Sequence, residues 1–217
     1  MKLFLSILIL WVGVASTFGC STLTEDSESV VDCSNATDIS EVVAYMEELA
    51  ASWSVFHNRF RILNNPNITS LVDGLFGEVQ FLTVEISRCP ALSDVGDFLG
   101  ASSNTLTNLI FTETSYPYIP ALDAPGLLNL EVSGTNVLVQ RSAFSKMKNI
   151  EVAVLNSVVI EPFAFFDLEN LRSLVIPFPS SNFMNLTAGT LNFNSQHLQV
   201  VDIVNGAFFF IEYGSIE

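Results

Sequence analysis

The chain has 217 residues, of which 49% are apolar and 14% are charged, a composition typical of a folded domain and not of a disordered chain. Its 8 Lys and Arg residues against 23 Asp and Glu residues give a net charge of −15, which argues against nucleic-acid binding because the phosphate backbone would be repelled. Three cysteines and two histidines are too few for a zinc cluster, so we expect no metal and no cofactor.

The first 19 residues have the pattern of a secretory signal peptide. Lys2 precedes an apolar run from Leu3 to Val14, and small residues follow at the candidate cleavage points after Ser16 or Gly19. An uncleaved membrane anchor or a lipoprotein attached through Cys20 are the alternatives. Since no later segment has 18 uncharged apolar residues, we expect a secreted, extracellular protein with no membrane segment in the mature chain.

Secretion makes disulfides and glycosylation possible. Cys20 and Cys33 are 13 residues apart and form a candidate disulfide, which leaves Cys89 as a buried thiol or as a partner for a cysteine of another chain. Three sequons predict glycosylation at Asn35, Asn67 and Asn185.

Residues 20–56 form an acidic segment that ends in a predicted helix from Ser40 to Trp53. Asp38 or Ser40 is the candidate N-cap. Apolar residues recur on one face with a 3.6-residue period, namely Val42, Met46, Leu49 and Trp53. We expect this helix to cap the array that follows.

A short apolar template repeats over residues 57–217. Each copy has an apolar residue, a second three positions later and a third five positions later. Copies begin at Val79, Leu106, Leu127, Ile150, Leu171 and Leu198, with a degenerate copy at His57. The spacing of 21 to 27 residues predicts a solenoid of about seven irregular coils. The pairs Ala143-Phe144 and Ala164-Phe165 also repeat, and each Phe is expected to fill the core between coils.

This template, with Ala-Phe ahead of the strands, resembles extracellular leucine-rich repeats. The resemblance implies an α/β solenoid, an arc with one parallel strand per coil on its concave side. It also implies an Asn at the eighth position after the first apolar residue, which bonds the backbone between coils. The residues at these positions are Asn65, Ser87, Thr114, Thr135, Val158, Pro179 and Gly206, and only the first of them is Asn.

A narrower resemblance involves the runs from Asn64 to Leu71, Val84 to Ile86 and Leu92 to Val95. These runs are similar to an arthropod family named for the non-catalytic subunit of shrimp (Oplophorus) luciferin 2-monooxygenase. That resemblance implies an accessory subunit that stabilises a separate secreted enzyme.

After Ile203 the chain continues with apolar residues 207–211 and has no cysteine cluster or polar cap. Because a solenoid needs a polar terminal coil, we expect a fragment, a short isoform or an end that a partner covers.

Side chains suited to catalysis are scarce. His57 and His197 are 140 residues apart, and no nucleophile elbow, phosphate loop or metal-ligand spacing occurs. We therefore expect no enzyme. The enzymatic alternative is a right-handed β-helix that acts on polysaccharides, whose coils have a similar length but carry three strands each.

Alternation along the strands predicts which side chains face the concave side of the arc. Apolar members of this set would form a stripe suited to protein contact, although a one-residue slip in register would bury them. The candidate binding face comprises Phe81, Thr83, Ile110, Glu131, Val152, Val154, Val175 and Val200.

These observations predict a secreted, non-catalytic leucine-rich-repeat protein that binds another secreted or cell-surface protein as an accessory subunit or scaffold. The alternative is a recognition or adhesion ectodomain, receptor-like or innate-immune.

Overall fold

The computed structural model describes residues 19–177, 183–204 and 207–211. The predicted signal peptide therefore lies, except for Gly19, outside the described residues. The strands are β1 (Ser21–Glu25), β2 (Glu28–Asp32), β3 (Phe56–Leu63), β4 (Ser70–Leu71), β5 (Gln80–Cys89), β6 (Asp94–Val95), β7 (Asn108–Thr114), β8 (Asn129–Val139), β9 (Val152–Ile160), β10 (Ser173–Pro177), β11 (Phe183–Leu186), β12 (Val200–Val204) and β13 (Ala207–Ile211). The helices are α1 (Ile39–Ala51) and a 3-10 helix (Gly100–Asn104). Over the described ranges, neither is long and apolar enough to cross a membrane.

The main sheet has nine strands in the order β1-β2-β3-β5-β7-β8-β9-β10-β12. All neighbours from β2 onward are parallel, and only β1 and β2 pair antiparallel. Each further coil adds one strand to the same sheet, so the chain is a β-solenoid of about six turns. The predicted solenoid with a parallel strand per coil is confirmed. Among the described residues, α-helix is confined to α1, so the α/β part of the predicted class is not.

The pairing register stacks the apolar template into two buried rows. Leu109 of β7, for example, pairs with Val84 on one side and with Leu130 on the other. All members are at most 1% exposed, and they are Phe60, Val84, Leu109, Leu130, Ala153 and Leu174 in one row and Ile62, Ile86, Phe111, Val132, Leu155 and Ile176 in the other. Burial of these rows along the whole sheet supplies the main stabilising term of the fold.

One predicted copy of the template has the wrong register. Val79, Leu82 and Val84 were the expected triplet, but Val84 pairs with Phe60 and Ile86 pairs with Ile62. The triplet of this coil is therefore Phe81, Val84 and Ile86, two residues later. The triplets that begin at Val79 and at Phe81 both have the same apolar spacing, so only pairing with the neighbouring strands distinguishes them.

The helix α1 is shorter than predicted. Asp38 is the N-cap, and its carboxylate accepts from the backbone N–H groups of Ser40 and Glu41 at 2.8 and 3.4 Å. Val42, Tyr45, Met46 and Leu49 are buried. Trp53 was expected on this apolar face, but it follows the helix with a φ of 61° and is 91% exposed.

The turn after the sheet is similar in most coils. A residue that is not glycine has a positive φ of 53° to 58° at the end of the sheet segment, at Asn64, Arg88, Glu113, Asn136 and Ser157. This left-handed residue turns the chain around a corner of the solenoid. Beyond it Val137 of β8 still pairs with Val158 of β9, so part of the ladder continues on the second side.

Phenylalanine fills the space between coils, as predicted. Phe144 and Phe165 are fully buried and stack with ring centroids 6.0 Å apart, and Phe193 stacks on Phe165 at 5.5 Å. A second group packs edge to face in the first coils, where Phe76 contacts both Phe60 and Phe81. Aromatic rings thus connect successive coils through the core.

Two side chains after the first strands also connect coils. Asn65 is 1% exposed, donates to the carbonyls of Ser34 and Ala36 at 3.0 and 2.8 Å, and accepts from two backbone N–H groups of the next turn. Cys89 follows Ile86 by three residues, as Asn65 follows Ile62, and its thiol donates to the Ile62 carbonyl at 3.6 Å. Cys89 therefore occupies the position in its coil that Asn65 occupies in the preceding one.

The β1–β2 hairpin of the acidic segment forms one edge of the main sheet. A disulfide joins Cys20, just before β1, to Cys33, just after β2, so it lies at the open end of the hairpin. Strand β2 pairs in parallel with β3, whereas all five residues of the outermost strand β1 are exposed. A short, polar edge strand of this kind opposes edge-to-edge aggregation.

Candidate functional site

The outward side of the main sheet presents two rows of side chains between the buried rows. We call it the concave face, because the leucine-rich-repeat resemblance predicts that it is the inner side of an arc. The first concave row consists of paired residues Arg59, Thr83, Asn108, Asn129, Val152, Ser173 and Val200. The second concave row consists of Arg61, Glu85, Ile110, Glu131, Val154, Val175 and Asp202. Each row places one side chain about 4.8 Å from the next, which is the strand spacing.

A shallow pocket of about 290 Å³ lies on this face, over the strands from β3 to β9. Side chains from five neighbouring strands line it, with Arg59 at one end and Val152 and Val154 at the other, and Ile110 and Glu131 lie between them. The pocket therefore combines an apolar floor with a few polar groups, the usual chemistry of a binding surface.

Seven of the eight predicted face residues lie in the two concave rows. Thr83, Ile110, Val152, Val154 and Val175 are half-buried, whereas Glu131 and Val200 are exposed. The alternative register, with Val152 and Val154 facing inward, is wrong because Ala153 and Leu155 are the fully buried residues of β9.

Phe81 is the exception, and its assignment to the face was wrong. It is fully buried and packs against Phe60, Phe76 and the ring of His57. The two-residue register error in this coil caused the misassignment. Glu85, which the sequence analysis did not select, holds the corresponding place in the second concave row.

The end of the face next to the hairpin carries a network of ion pairs that the sequence analysis missed. Arg61 donates two hydrogen bonds to the Glu25 carboxylate, at 2.7 and 2.8 Å, and contacts Asp32 at 2.8 Å. Arg59 pairs with Glu85 at 3.2 Å. Burial opposes ionisation of Asp32, but hydrogen bonds from Ser34 and Arg61 outweigh it and hold the pKa of Asp32 below its usual value.

An amide ladder runs along the first concave row. The Asn129 side chain donates to the Asn108 side chain at 2.8 Å, and Asn108 donates to the Thr83 hydroxyl at 3.2 Å. These bonds fix side-chain orientation across three strands, so the polar part of the pocket is pre-organised.

The two other carboxylates of the second concave row are placed differently from Glu85. Glu131 and Asp202 belong to the second concave row, and both are exposed. Within the described part of the chain, neither makes an ion pair or a side-chain hydrogen bond. Val154 and Val175 lie between them in the row, so this half of the face is apolar with an unpaired anion at each limit.

The two histidines do not meet. His57 is 1% exposed, with Nδ1 2.7 Å from the Ser29 hydroxyl and Nε2 3.0 Å from the Ser54 carbonyl, and burial lowers its pKa. His197 is exposed and precedes β12, six strand positions along the sheet from the strand of His57. Within the described ranges, no group of three His, Cys, Asp or Glu side chains is arranged to hold a metal ion.

The remaining predicted sites lie away from the concave face. Cys89 is fully buried, and burial raises the pKa of its thiol, so the predicted role as a buried thiol fits its surroundings. Asn35 and Asn67 are exposed, as a glycosylated Asn must be. Asn185 lies in β11, and its side chain is outside the described part of the structure.

No family model matches this chain, and comparisons with curated proteins and with solved structures likewise find no match.

Proposed function

We propose that this chain is a secreted, non-catalytic leucine-rich-repeat protein that binds another secreted or cell-surface protein through its concave face. The observation that carries the proposal is the pre-organised pocket, with the half-buried side chains of Ile110, Val152 and Val154 on one rigid sheet. Apolar side chains that stay accessible on a rigid scaffold are typical of protein-binding surfaces.

Two features support the leucine-rich-repeat assignment. The buried rows repeat the L-x-x-L-x-L spacing with one parallel strand per coil. Asn65 and Cys89 hold equivalent positions in successive coils. Leucine-rich repeats have either Asn or Cys at that position. The register correction supplies the second of these matches, because the uncorrected template put Ser87 at that position.

The disulfide between Cys20 and Cys33 supports an extracellular location, because such bonds persist in oxidising compartments. The exposed sequons at Asn35 and Asn67 agree with it. Both lie outside the concave rows, so glycans there would leave the proposed binding face open.

The choice of an accessory subunit over a free recognition protein rests on the narrower family resemblance. In that arrangement the chain contributes binding and stabilisation, and a separate secreted protein contributes chemistry. This role needs no nucleophile or proton-transfer group in the pocket.

The test is capture of the tagged, secreted chain from its native fluid, with mass-spectrometric identification and stoichiometry. One stoichiometric enzyme partner is the expected result. A chain that migrates alone would contradict the accessory role and favour the recognition or adhesion ectodomain.

A further inference from the structure

We propose that the concave face selects an extended basic–apolar–basic segment of its partner, held between Glu131 and Asp202. This proposal rests on the proposed function and specifies which surface the face accepts. It follows from the charge, spacing and exposure of the second concave row.

The charge of the row changes along its length. Near the hairpin, the acidic Glu85 is neutralised by Arg59 and the basic Arg61 by two carboxylates. Beyond Ile110, the exposed carboxylates of Glu131 and Asp202 have no cation within 4.0 Å in the described part of the chain. A ligand therefore finds unsatisfied negative charge only in the half of the row that is also apolar.

The spacing of these carboxylates fits an extended chain. Glu131 on β8 and Asp202 on β12 are three strand positions apart, which is about 14 Å. In an extended segment, residues i, i+2 and i+4 face the same side, and i to i+4 spans about 14 Å. A segment that crosses the strands can thus place Lys or Arg over each carboxylate and an apolar side chain over Val154 and Val175.

The surroundings favour a basic partner over an acidic one. The whole chain has a net charge of −15, which attracts cations at long range. Arg59 and Arg61, at the hairpin end of the face, are already paired with carboxylates of this chain, so an acidic segment would find no unpaired cation in the concave rows. Charge reversal of the ligand should therefore abolish binding at this half of the face.

The test uses three immobilised peptides and the purified full chain in a biosensor. The matched peptide is Thr-Lys-Thr-Val-Thr-Lys-Thr, the shifted peptide Thr-Lys-Lys-Val-Thr-Thr-Thr has the same composition, and Thr-Glu-Thr-Val-Thr-Glu-Thr reverses the charge. We expect the matched peptide to bind about three- to tenfold tighter than the shifted one, with binding that weakens as salt rises. The acidic peptide should not bind.

Variants assign the effect to the two carboxylates. Glu131→Gln and Asp202→Asn should each reduce the preference for the matched peptide. The double variant Glu131→Lys with Asp202→Lys should bind the acidic peptide instead. Glu113→Gln, at an exposed corner outside the concave rows, is the matched control and should change nothing.

Equal binding of the matched and shifted peptides, or no binding of either, would overturn the proposal. The native partner separates this failure from that of the proposed function. A captured partner that is lost with Val154→Asp but retained with Glu131→Gln and Asp202→Asn would leave the binding face in place and refute the basic segment.

Discussion

Asn65 is the residue that connects the hairpin segment to the first regular coil. Its amide donates to the Ser34 and Ala36 carbonyls, and its carbonyl oxygen accepts from the N–H groups of Asn67 and Ile68. All four backbone partners lie outside the helices and strands. Loss of the side chain leaves buried polar groups unpaired, which is costly.

We expect Asn65→Ala to lower the free energy of unfolding by about 3 kcal/mol, because several buried hydrogen bonds are lost at once. Urea unfolding followed by circular dichroism measures this change. Asn104→Ala is the matched control, since Asn104 is exposed and its side chain makes no described hydrogen bond. A loss as small as that of the control would show that Asn65 does not connect the coils.

His57 should make stability depend on pH. Burial lowers its pKa, so the unfolded chain takes up a proton near pH 6.5 before the folded chain does. The folded state is therefore fully stabilised above about pH 6.5 and loses stability as the pH falls toward the pKa of the folded state. The loss has a maximal slope of about 1.4 kcal/mol per pH unit.

Urea titrations between pH 7.5 and 5.5 test this dependence. The wild type should lose stability over that range, and His57→Gln should remove most of the slope. His197→Gln, at an exposed position, should keep it. A slope that persists in His57→Gln would assign the pH dependence to another group.

The β1–β2 hairpin is an element that the sequence alone did not predict. Its strands mix Glu and Asp, which are poor strand formers, with Thr and Val, which are good ones, so local propensity gives only a weak signal. The compensating charges are Arg59 and Arg61 on β3, about thirty residues further along the chain. Only the folded sheet brings these groups together.

The disulfide is expected to stabilise this hairpin mainly by restricting the unfolded chain. Replacing both Cys20 and Cys33 by Ser should cost about 3 kcal/mol, the value for a loop of this length. Thermal unfolding with and without reductant checks it. Reductant should lower the melting temperature of the wild type and leave the variant unchanged, and a variant as stable as the wild type would contradict the assigned role.

Strand β5 shows how far apolar spacing can define an element. The template placed a strand correctly in this region, but Val79 and Phe81 both satisfy it. The choice between them depends on the ladder, in which Val84 pairs with Phe60 and Leu109. For the same reason the sequence predicted most of the concave face, including Val154 and Val175, but assigned Phe81 to it wrongly.

The solenoid as a whole was predictable because its signal is repeated. One apolar triplet carries little information, whereas triplets at 21- to 27-residue intervals define a common core. The charge pattern of the face was not predictable in this way. Whether Glu85 or Glu131 is paired depends on which strand carries an arginine beside it, and that requires the register.

Binding of a protein partner by the concave face is tested by substitution of two valines on that face and, separately, of one valine outside it. Val154 is half-buried in the second concave row, whereas Val159, further along β9, is 53% exposed beyond the corner of the solenoid. The amount of partner captured from the native fluid is measured for three proteins: the wild type, the double variant that combines Val154→Asp and Val175→Asp, and the single variant Val159→Asp. Circular dichroism verifies that each is folded. If the variant with both concave-face substitutions does not fold, the same positions are changed to Ser.

We predict that the variant with both concave-face substitutions folds and loses the stoichiometric partner, and that Val159→Asp retains it. Retention of the partner by a folded concave-face variant would show that this face does not bind it, and equal loss in Val159→Asp would show that the effect is not specific to the face. Failure of both the Asp and the Ser variants to fold would show that Val154 and Val175 serve the core and not a binding face.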